Sequence, residues 1–375
     1  MNTAAAPDWL PSYAVPFVTL SYPTPRPAVP DSFPNASYHG IGVLDGYFVI
    51  SCIIVMAILR DAFRLLALEP LAKWKLTRDL QRRLAKSKRG NGHANGGTTT
   101  NGDAKAVADS NGDATSGGVT SKREQHLLRR SMLRFAEQGW SVIYYLCQTA
   151  FGLLYVHRNL PTSVFNPVDV WIGYPHIPLA GPIKFYYLSQ TAFYLHQILI
   201  LNAEARRKDH WQMMTHHVVT IALMVGSYFC NCTRVGVLIM LLMDVADVFL
   251  PLAKMLRYLS FTTLCDITFG LFMVSWFITR HILFIVVIVS VWQHSVSDND
   301  AAFMWNPKGG LYLTRQALQI FVYLLVCLEI LQLVWFTMII RVAWRVVSGE
   351  GAEDTRSDDE GDIDDGDDKE TKKDK

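Results

Sequence analysis

The sequence predicts an all-α polytopic membrane protein in which about seven transmembrane helices form a bundle around a lipid-accessible cavity. Half of the 375 residues are apolar, and they are concentrated in long runs along the chain. An apolar run of about 20 residues is long enough for a helix to cross a bilayer. Basic residues cluster between the runs, as they do on the cytosolic side of membrane proteins.

The N-terminal region, residues 1–42, is rich in proline and aromatic residues, and Arg26 is its only Lys or Arg residue. Residues 60–134, by contrast, contain sixteen Lys or Arg residues. The positive-inside rule therefore predicts a lumenal N-terminus followed by a cytosolic segment. A lumenal N-terminus makes Asn35, in the triplet Asn-Ala-Ser, a predicted glycosylation site. We expect no cleaved signal peptide, because the N-terminus lacks a basic stretch followed by an apolar one.

Seven apolar runs are predicted to span the membrane, starting in the lumen and ending in the cytosol. In chain order they cover residues 44–66, 139–157, 183–203, 211–230, 235–253, 268–292 and 316–340. Basic residues follow the first, third, fifth and seventh runs, which is consistent with this parity. The first helix and its cytosolic extension form the segment 43–87, and the remaining six spans form the domain 122–347.

Two segments outside the spans are predicted to be disordered in the cytosol. Residues 88–121 consist mainly of Gly, Asn, Thr, Ala, Asp and Ser, which offer little to bury. Residues 348–375 are strongly acidic. In this tail Ser357 precedes three acidic residues, a pattern that acidophilic kinases favour. Lys372 and Lys373 stand where a dilysine retrieval signal for the endoplasmic reticulum would stand.

Composition also argues against nucleic-acid binding and against stabilisation by disulfides or zinc. The basic residues flank a membrane span and lack interleaved aromatic residues, so we expect them to attract anionic lipid and not nucleic acid. The six cysteines lie mostly within apolar runs and show no CxxC spacing. The sequence therefore predicts neither a disulfide framework nor a structural zinc site.

Ionisable residues inside two neighbouring spans mark the predicted active site. His216 and His217 lie in the fourth apolar run, and Asp244 and Asp247 lie in the fifth. Such residues are costly in a membrane and usually have a function. His217 and Asp247 are each fifteen residues from Cys232, the predicted turn, so both lie about 22 Å from it. We therefore expect two imidazoles and two carboxylates to converge across a helix pair.

Helical spacing predicts which side chains share a helix face with these ionisable residues. On the second helix Asp244, Asp247, Pro251 and Lys254 lie on one face. On the first helix His216 belongs to a stripe of polar and apolar residues. That stripe contains His216, Thr220, Leu223 and Ser227.

This segment resembles the Lag motif of the TLC-domain family and, within that family, the ceramide synthases. Most of the matching residues are polar and stand at fixed spacing. They are His216, His217, Thr220, Ser227, Tyr228, Asn231, Arg234, Gly236, Asp244, Asp247 and Lys254. The resemblance extends more loosely over residues 38–345, apart from the linker. Met243 and Pro251 depart from the animal pattern, and with the linker and acidic tail they suggest a fungal-type member.

The resemblance implies an acyl-CoA-dependent acyltransferase that forms ceramide by N-acylation of a sphingoid base. His216 and His217 are then the reacting pair, with Asp244 and Asp247 orienting and tuning them. Two routes stay open, since a histidine can act as general base or can accept the acyl group as an acyl-imidazole. No cofactor is expected, because acyl-CoA is a substrate.

The candidate substrate-binding residues are polar or basic and lie at both ends of the spans. They are Lys254, Arg280, Arg207, Lys208, Ser227, Tyr228, Asn231 and Arg234. The basic residues near the cytosolic ends are candidates to hold the phosphates of CoA, and they also serve as topology signals. Ser227, Tyr228, Asn231 and Arg234 are expected to shape the hairpin turn or the cavity end. Arg280, near the middle of the sixth span, needs an acidic partner, either Asp244, Asp247 or Glu329.

Two rival functions remain. One is a non-enzymatic TLC protein that handles lipids or assists translocation, and the intact His and Asp pairs argue against it. The other is a metal-dependent lipid oxidase, but the remaining histidines are scattered, so we predict no metal site. The resemblance also places the protein in the endoplasmic reticulum membrane. A homodimer or a small accessory subunit is expected among its partners.

Overall fold

A computed structural model describes residues 2–28, 33, 35–94, 122–160, 167–203, 209–296 and 305–348 of the chain. They fold into two compact units. The first contains the described residues of Met1–Leu59, Tyr144–Phe249 and Gly270–Lys375. The second contains the described residues of Arg60–Ile143 and Leu250–Phe269.

Helices dominate the described chain, and they follow the predicted apolar runs. They are α1 (Val15–Val18), α2 (Asp45–Phe63), α3 (Glu69–Ala94), α4 (Lys122–Phe151), α5 (Gly181–Ala203), α6 (His210–Phe229), α7 (Thr233–Tyr258), α8 (Thr262–Trp276), α9 (Phe284–Val296) and α10 (Arg315–Val347). Three π-helical turns continue these helices: Arg64–Leu68 joins α2 to α3, Gly152–Val156 extends α4, and Phe277–Leu283 joins α8 to α9.

Three helical segments of the described chain are long and apolar enough to cross a membrane. They are Thr233–Tyr258, Thr262–His294 and Arg315–Val347. On α10 the exposed side chains include Ile320, Tyr323 and Ile330, each more than half exposed. A continuous exposed apolar face of this kind suits contact with lipid and not with water. The protein is therefore a multi-pass membrane protein.

In the first unit, α5 and α10 pack against elements that carry predicted site residues. Helix α5 packs against α6, and α10 packs against α6, α9 and the π-helical turn Phe277–Leu283. Two apolar cores fill the space between these elements. One is centred on aromatic residues of α5 such as Tyr186 and Phe193, and the other on aliphatic residues of α7, α9 and α10.

A small antiparallel sheet attaches the N-terminal segment to the start of α5. Its strands are β1 (Pro23–Thr24), β2 (Tyr38–His39) and β3 (Leu179–Ala180), in the order β1-β2-β3. Pro23 pairs with His39, and Tyr38 pairs with Ala180.

A buried ion pair strengthens this attachment. The ammonium group of Lys184, on α5, is fully buried and lies 2.7 Å from Asp45 Oδ1. It also donates to the carbonyl oxygens of Ser21 and Gly40, at 2.9 and 2.7 Å. Asp45 Oδ2 in turn accepts from Tyr228 Oη of α6, at 2.8 Å. The buried ammonium group thus has the oxygen acceptors that a buried charge requires. Together these contacts attach the N-terminal segment to α5 and α6.

The second unit has its own small apolar core and corrects one prediction. Leu68, Ala72, Phe135 and Ala136 are buried together there. Helix α3 continues to Ala94, so residues 88–94 are helical although the sequence predicted that the disordered linker begins at residue 88. The Lys, Arg, Leu and Ala residues at 82–89 are good helix formers, which explains the extension. The rest of the predicted linker, from residue 95, lies outside the described residues.

Candidate active site

Four of the predicted site residues, His216, Ser227, Asp247 and Arg280, line one cavity within the first unit. Helices α6 and α7 form facing walls, and residues of α5, α9, α10 and the turn Phe277–Leu283 complete the lining. Most of the lining is apolar, for example Leu223, Met224, Ile239, Met240, Leu318 and Leu325. A chamber of this composition suits the hydrocarbon part of a lipid better than a polar metabolite.

The predicted stripe on α6 is confirmed as one wall of the cavity. His216, Thr220, Leu223 and Ser227 all line it, as their i, i+4, i+7 and i+11 spacing requires. On α7 the lining residues recur at similar helical spacing, from Val235 to Asp247 at the polar end.

The two histidines occupy different environments. His216 lines the cavity, and its ring centre lies 5.2 Å from that of Trp335 on α10. His217 does not line the cavity, is 8% exposed, and packs with a ring-centre distance of 5.8 Å against Tyr194 of α5. Among the described residues, neither Nδ1 atom has a hydrogen-bond partner. Adjacent residues on a helix point about 100° apart, so only one ring of the pair faces the cavity.

The two aspartates are held by different donors. Asp244 is fully buried, and its Oδ2 accepts a hydrogen bond from Gln190 Nε2 of α5. Gln190 Oε1 in turn accepts from Tyr144 Oη, at 2.9 Å. Asp247 lines the cavity and pairs with Arg280, with 2.6 Å between Oδ1 and Nη2. The predicted acidic partner of Arg280 is therefore Asp247.

A π-helical turn brings Arg280 into the interior. Thr279, Arg280 and His281 are consecutive and all buried within the turn Phe277–Leu283. Wide turns of this type often occur at functional sites because they redirect side chains. Arg280 Nη2 also donates to the carbonyl oxygen of Met243, at 2.8 Å, and the guanidinium lies 4.0 Å from the ring centre of Trp276. The neighbouring His281 pairs with Glu329 at 2.7 Å, so Glu329 is not the partner of Arg280.

The predicted convergence of imidazoles and carboxylates involves no direct bond between the two kinds of group. In the described parts of the chain, no hydrogen bond or ion pair joins His216 or His217 to Asp244 or Asp247. The reason is that α6 packs on α5 and α10, while the cavity separates it from α7. The carboxylates are held instead by an amide and a guanidinium, which offer strong hydrogen bonds in a medium poor in water.

The residues near the α6–α7 turn form hydrogen bonds with other segments of the first unit. Asn231 adopts a φ of +62° in the turn, a conformation that Asn tolerates better than most residues, and its Nδ2 donates to the Gly310 carbonyl at 2.7 Å. Arg234 Nη1 donates to the Ile172 carbonyl, at 3.4 Å. Ser227, at the cavity wall, shares a 2.5 Å hydrogen bond with Tyr187 Oη. Tyr228 is the residue that donates to Asp45 at the N-terminal attachment.

The other predicted sites are only partly described. Lys254 lies on α7 and is half-buried, within the second unit. Asn35 is exposed, as a glycosylated residue must be. Arg207, Lys208, Ser357, Lys372 and Lys373 lie outside the described residues. Within the described ranges, no three His, Cys, Asp or Glu side chains come together as a metal site would require.

Sequence reasoning missed several polar residues around the site. Gln190, fully buried, holds Asp244, and Tyr194 packs on His217 while lining the cavity. Gln332 of α10 is also fully buried and donates to Met243 Sδ at 3.4 Å. The polar triplet Ser-Gln-Thr at 189–191 within an apolar run was a readable signal for Gln190. No such pattern marks Tyr194.

Gly236 is required where α7 approaches α5. A methyl group at this position would overlap the Tyr187 hydroxyl. We expect Gly236→Ala to displace Tyr187, break its bond to Ser227 and destabilise the protein by about 1–3 kcal/mol, as other overpacked cores do. Thermal unfolding in detergent micelles tests this.

Gly270→Ala is the matched control, since Gly270 is an exposed helical residue with no atom within 4 Å of an added methyl. Adding Tyr187→Phe to Gly236→Ala removes the overlapping oxygen and should recover part of the loss. Equal unfolding temperatures for Gly236→Ala and Gly270→Ala would contradict the steric argument.

Comparison with known proteins places the chain in a family. Residues 134–341 match the TLC domain. The chain is 42% identical over 234 residues to sphingosine N-acyltransferase lag1 of Schizosaccharomyces pombe, covering 62% of this chain and 59% of that protein. It is 37% identical to ceramide synthase FUM18 of Gibberella moniliformis, over 63% of this chain and 60% of the relative. It is also 35% identical to ceramide synthase hyl-1 of Caenorhabditis elegans, over 60% and 61% respectively.

The matched segments thus span about three fifths of the length of these curated relatives. The TLC match covers more than half of the chain and includes the helices that line the cavity. The chain therefore belongs to the TLC-domain family.

Proposed function

We propose that this protein is a ceramide synthase, which transfers a fatty acyl group from acyl-CoA to the amino group of a sphingoid base. The observation that carries the proposal is that His216 and the Asp247–Arg280 pair lie in the wall of one cavity that is otherwise mainly apolar. In this proposal the apolar lining contacts the hydrocarbon chains of the substrates, and His216 presents its imidazole to their reacting ends. The names of the relatives, sphingosine N-acyltransferase and ceramide synthase, support the same reaction.

His216 is the reacting group in this proposal. As a general base it takes a proton from the amine, which then attacks the thioester carbonyl. A carbon–nitrogen bond forms, the carbon–sulfur bond breaks, and the proton passes to the departing CoA thiolate. In the alternative route His216 first attacks the thioester, the carbon–sulfur bond breaks, and CoA leaves as its thiol with the proton that the imidazole loses. The amine then attacks the acyl-imidazole, and the released ring takes up the proton of the amine. Both routes use the ring that faces the cavity, and neither needs a cofactor.

His217, Asp244 and Asp247 support His216 without bonding to it. His217 fixes the position of Tyr194, and Asp244 is held at the end of the Gln190–Tyr144 chain. Asp247 keeps Arg280 at the cavity wall, so a cation and an anion face the reacting atoms at fixed positions.

The remaining candidate residues bind the polar ends of the substrates or shape the cavity. Arg207, Lys208 and Lys254 face the cytosol in this proposal and hold the phosphates of CoA, which are too polar to enter lipid. Ser227, Tyr228, Asn231 and Arg234 shape the distant end of the cavity, where the hydrocarbon chains would lie.

The proposed topology has seven spans, a lumenal N-terminus and a cytosolic C-terminus in the endoplasmic reticulum membrane. Residues 122–347 form the catalytic domain, preceded by a disordered linker and followed by a disordered acidic tail. In this arrangement Asn35 carries a glycan and Ser357 is accessible to cytosolic kinases. Lys372 and Lys373 act as the retrieval signal. The partners are acyl-CoA, the sphingoid base and membrane lipids, with either a second copy or a small accessory subunit.

Activity of the purified protein tests the proposal. The full chain is produced in cells that lack their own ceramide synthases and is assayed with acyl-CoAs of graded length against sphinganine and phytosphingosine. We expect ceramide and free CoA to form in equal amounts with at least one pair of substrates. If the protein binds both lipids yet forms no amide with any pair, it is a non-enzymatic lipid-handling TLC protein and the proposal is wrong.

A further inference from the structure

Attack on a thioester places negative charge on the carbonyl oxygen, and that oxygen needs a hydrogen-bond donor. Donors fixed in advance at this position commonly make the largest single contribution to such reactions. The need is greater in an apolar cavity, where an unpaired charge is poorly solvated. The cavity wall should therefore contain a donor that no other group occupies.

Most hydrogen-bond donors among the cavity-lining side chains are already bonded to other groups or are enclosed by protein atoms. Arg280 Nη2 serves both Asp247 and the Met243 carbonyl, and Arg280 Nε has no partner among the described residues but is enclosed by protein atoms. The Tyr187 hydroxyl is bonded to Ser227, and Gln332 Nε2 points to Met243 Sδ. The Thr220 hydroxyl has no partner among the described residues, but it is enclosed by protein atoms and not exposed at the cavity surface.

Tyr194 differs from these residues. It lines the cavity together with His216, and no hydrogen bond joins its hydroxyl to another described residue. Asp247 and Arg280, two charged groups of the site, line the same cavity. The Tyr194 hydroxyl is thus a donor with spare capacity near the reacting histidine.

The ring of Tyr194 is also held firmly in place. The residue is 5% exposed and packs against His217. Phe193 also meets it edge to face, with ring centres 5.9 Å apart. A phenol that is already immobilised loses little freedom when it binds an oxyanion, which is the condition for effective electrostatic catalysis. The buried His217 ring therefore has a structural role, because it supports the Tyr194 ring.

We propose that Tyr194 is a catalytic residue whose hydroxyl donates a hydrogen bond to the thioester carbonyl oxygen as negative charge develops on it. The inference rests on the proposed acyl transfer and adds a residue to it. No proton is transferred by Tyr194, because the hydroxyl stabilises the oxyanion until the carbon–sulfur bond breaks.

Tyr194→Phe removes the hydroxyl and keeps the ring, and its steady-state kinetics test the proposal. We expect kcat to fall about 100-fold or more, as when one oxyanion donor is lost, with KM within twofold of the parent protein. The dissociation constant of an S-alkyl-CoA thioether, which lacks the carbonyl group, should not change. The unfolding temperature should not change either, because the ring packing is retained.

Tyr155→Phe is the matched control, because Tyr155 is 49% exposed and does not line the cavity. It should keep the kcat of the parent protein. The proposal is overturned if Tyr194→Phe retains more than a third of kcat. It is also overturned if the loss appears equally in KM and in thioether affinity, which would make Tyr194 a binding or packing residue. An inactive parent protein would instead overturn the acyltransferase assignment, and this inference with it.

Discussion

Replacing His216 with alanine is expected to abolish nearly all acyl transfer, with kcat/KM falling by about a thousandfold or more. The imidazole lines the cavity and is the proposed reacting group in both routes. General acid–base catalysis by one residue contributes about 10²- to 10⁴-fold, and loss of a nucleophile costs at least as much. Steady-state kinetics of the purified variant measure the effect, and His216→Gln, which retains polarity and similar volume, should be equally inactive.

His217→Ala is the informative companion variant. Its ring lies behind the cavity wall, so we expect a clearly smaller loss that reflects weakened support of Tyr194. The two variants differ at adjacent positions of the same helix, so general damage to α6 would affect both. Equal losses, or a greater loss for His217→Ala, would show that the wrong histidine has been assigned as the reacting group.

Loss of Arg280 is expected to have the second large effect, on stability as well as activity. Arg280→Met leaves Asp247 without its cation in a setting where the arginine side chain is only 5% exposed. Removing one partner of a buried ion pair typically costs about 3–5 kcal/mol, because the remaining charge is poorly solvated. The guanidinium also holds the Met243 carbonyl and stacks on Trp276, and both contacts are lost with it.

A double variant separates the two effects of Arg280. Arg280→Met combined with Asp247→Asn removes both charges, so the unfolding temperature should recover much of the loss. Activity should stay low, because the site then lacks its charged pair. Arg341→Met, at an exposed residue of α10, controls for the loss of one arginine. A single Arg280→Met variant as stable as that control would contradict the energetic role of the ion pair.

Much of the helical framework could be predicted from the sequence, because apolar runs are local features. The predicted runs 183–203 and 316–340 correspond closely to α5 and α10. The predicted turn around Cys232 is also confirmed, since α6 ends at Phe229 and α7 begins at Thr233. The boundary of the linker was wrong, because composition marks a lack of apolar residues and not the end of a helix.

The chemistry of the site was only partly predictable. Charged residues in apolar runs are costly, and that cost identified His216, Asp247 and Arg280 as residues with a special role. Their partners depend on elements far apart in the chain. Gln190 was missed because a glutamine carries no charge, and Tyr194 because an aromatic residue in an apolar run looks like any other core residue.

The sequence alone determined which residues of this protein are chemically exceptional and how they are spaced along each helix. Helical periodicity also determined that His216, Thr220, Leu223 and Ser227 share a face. Only the tertiary structure decided which neighbours those faces meet. The α6–α7 turn is short, yet packing on α5 and α10 keeps α6 away from α7 and opens the cavity between them. That packing turns His216 toward the cavity and places His217 against Tyr194. It also leaves Asp244 to Gln190 and Asp247 to Arg280, because side chains bind the partners that surrounding helices place within reach.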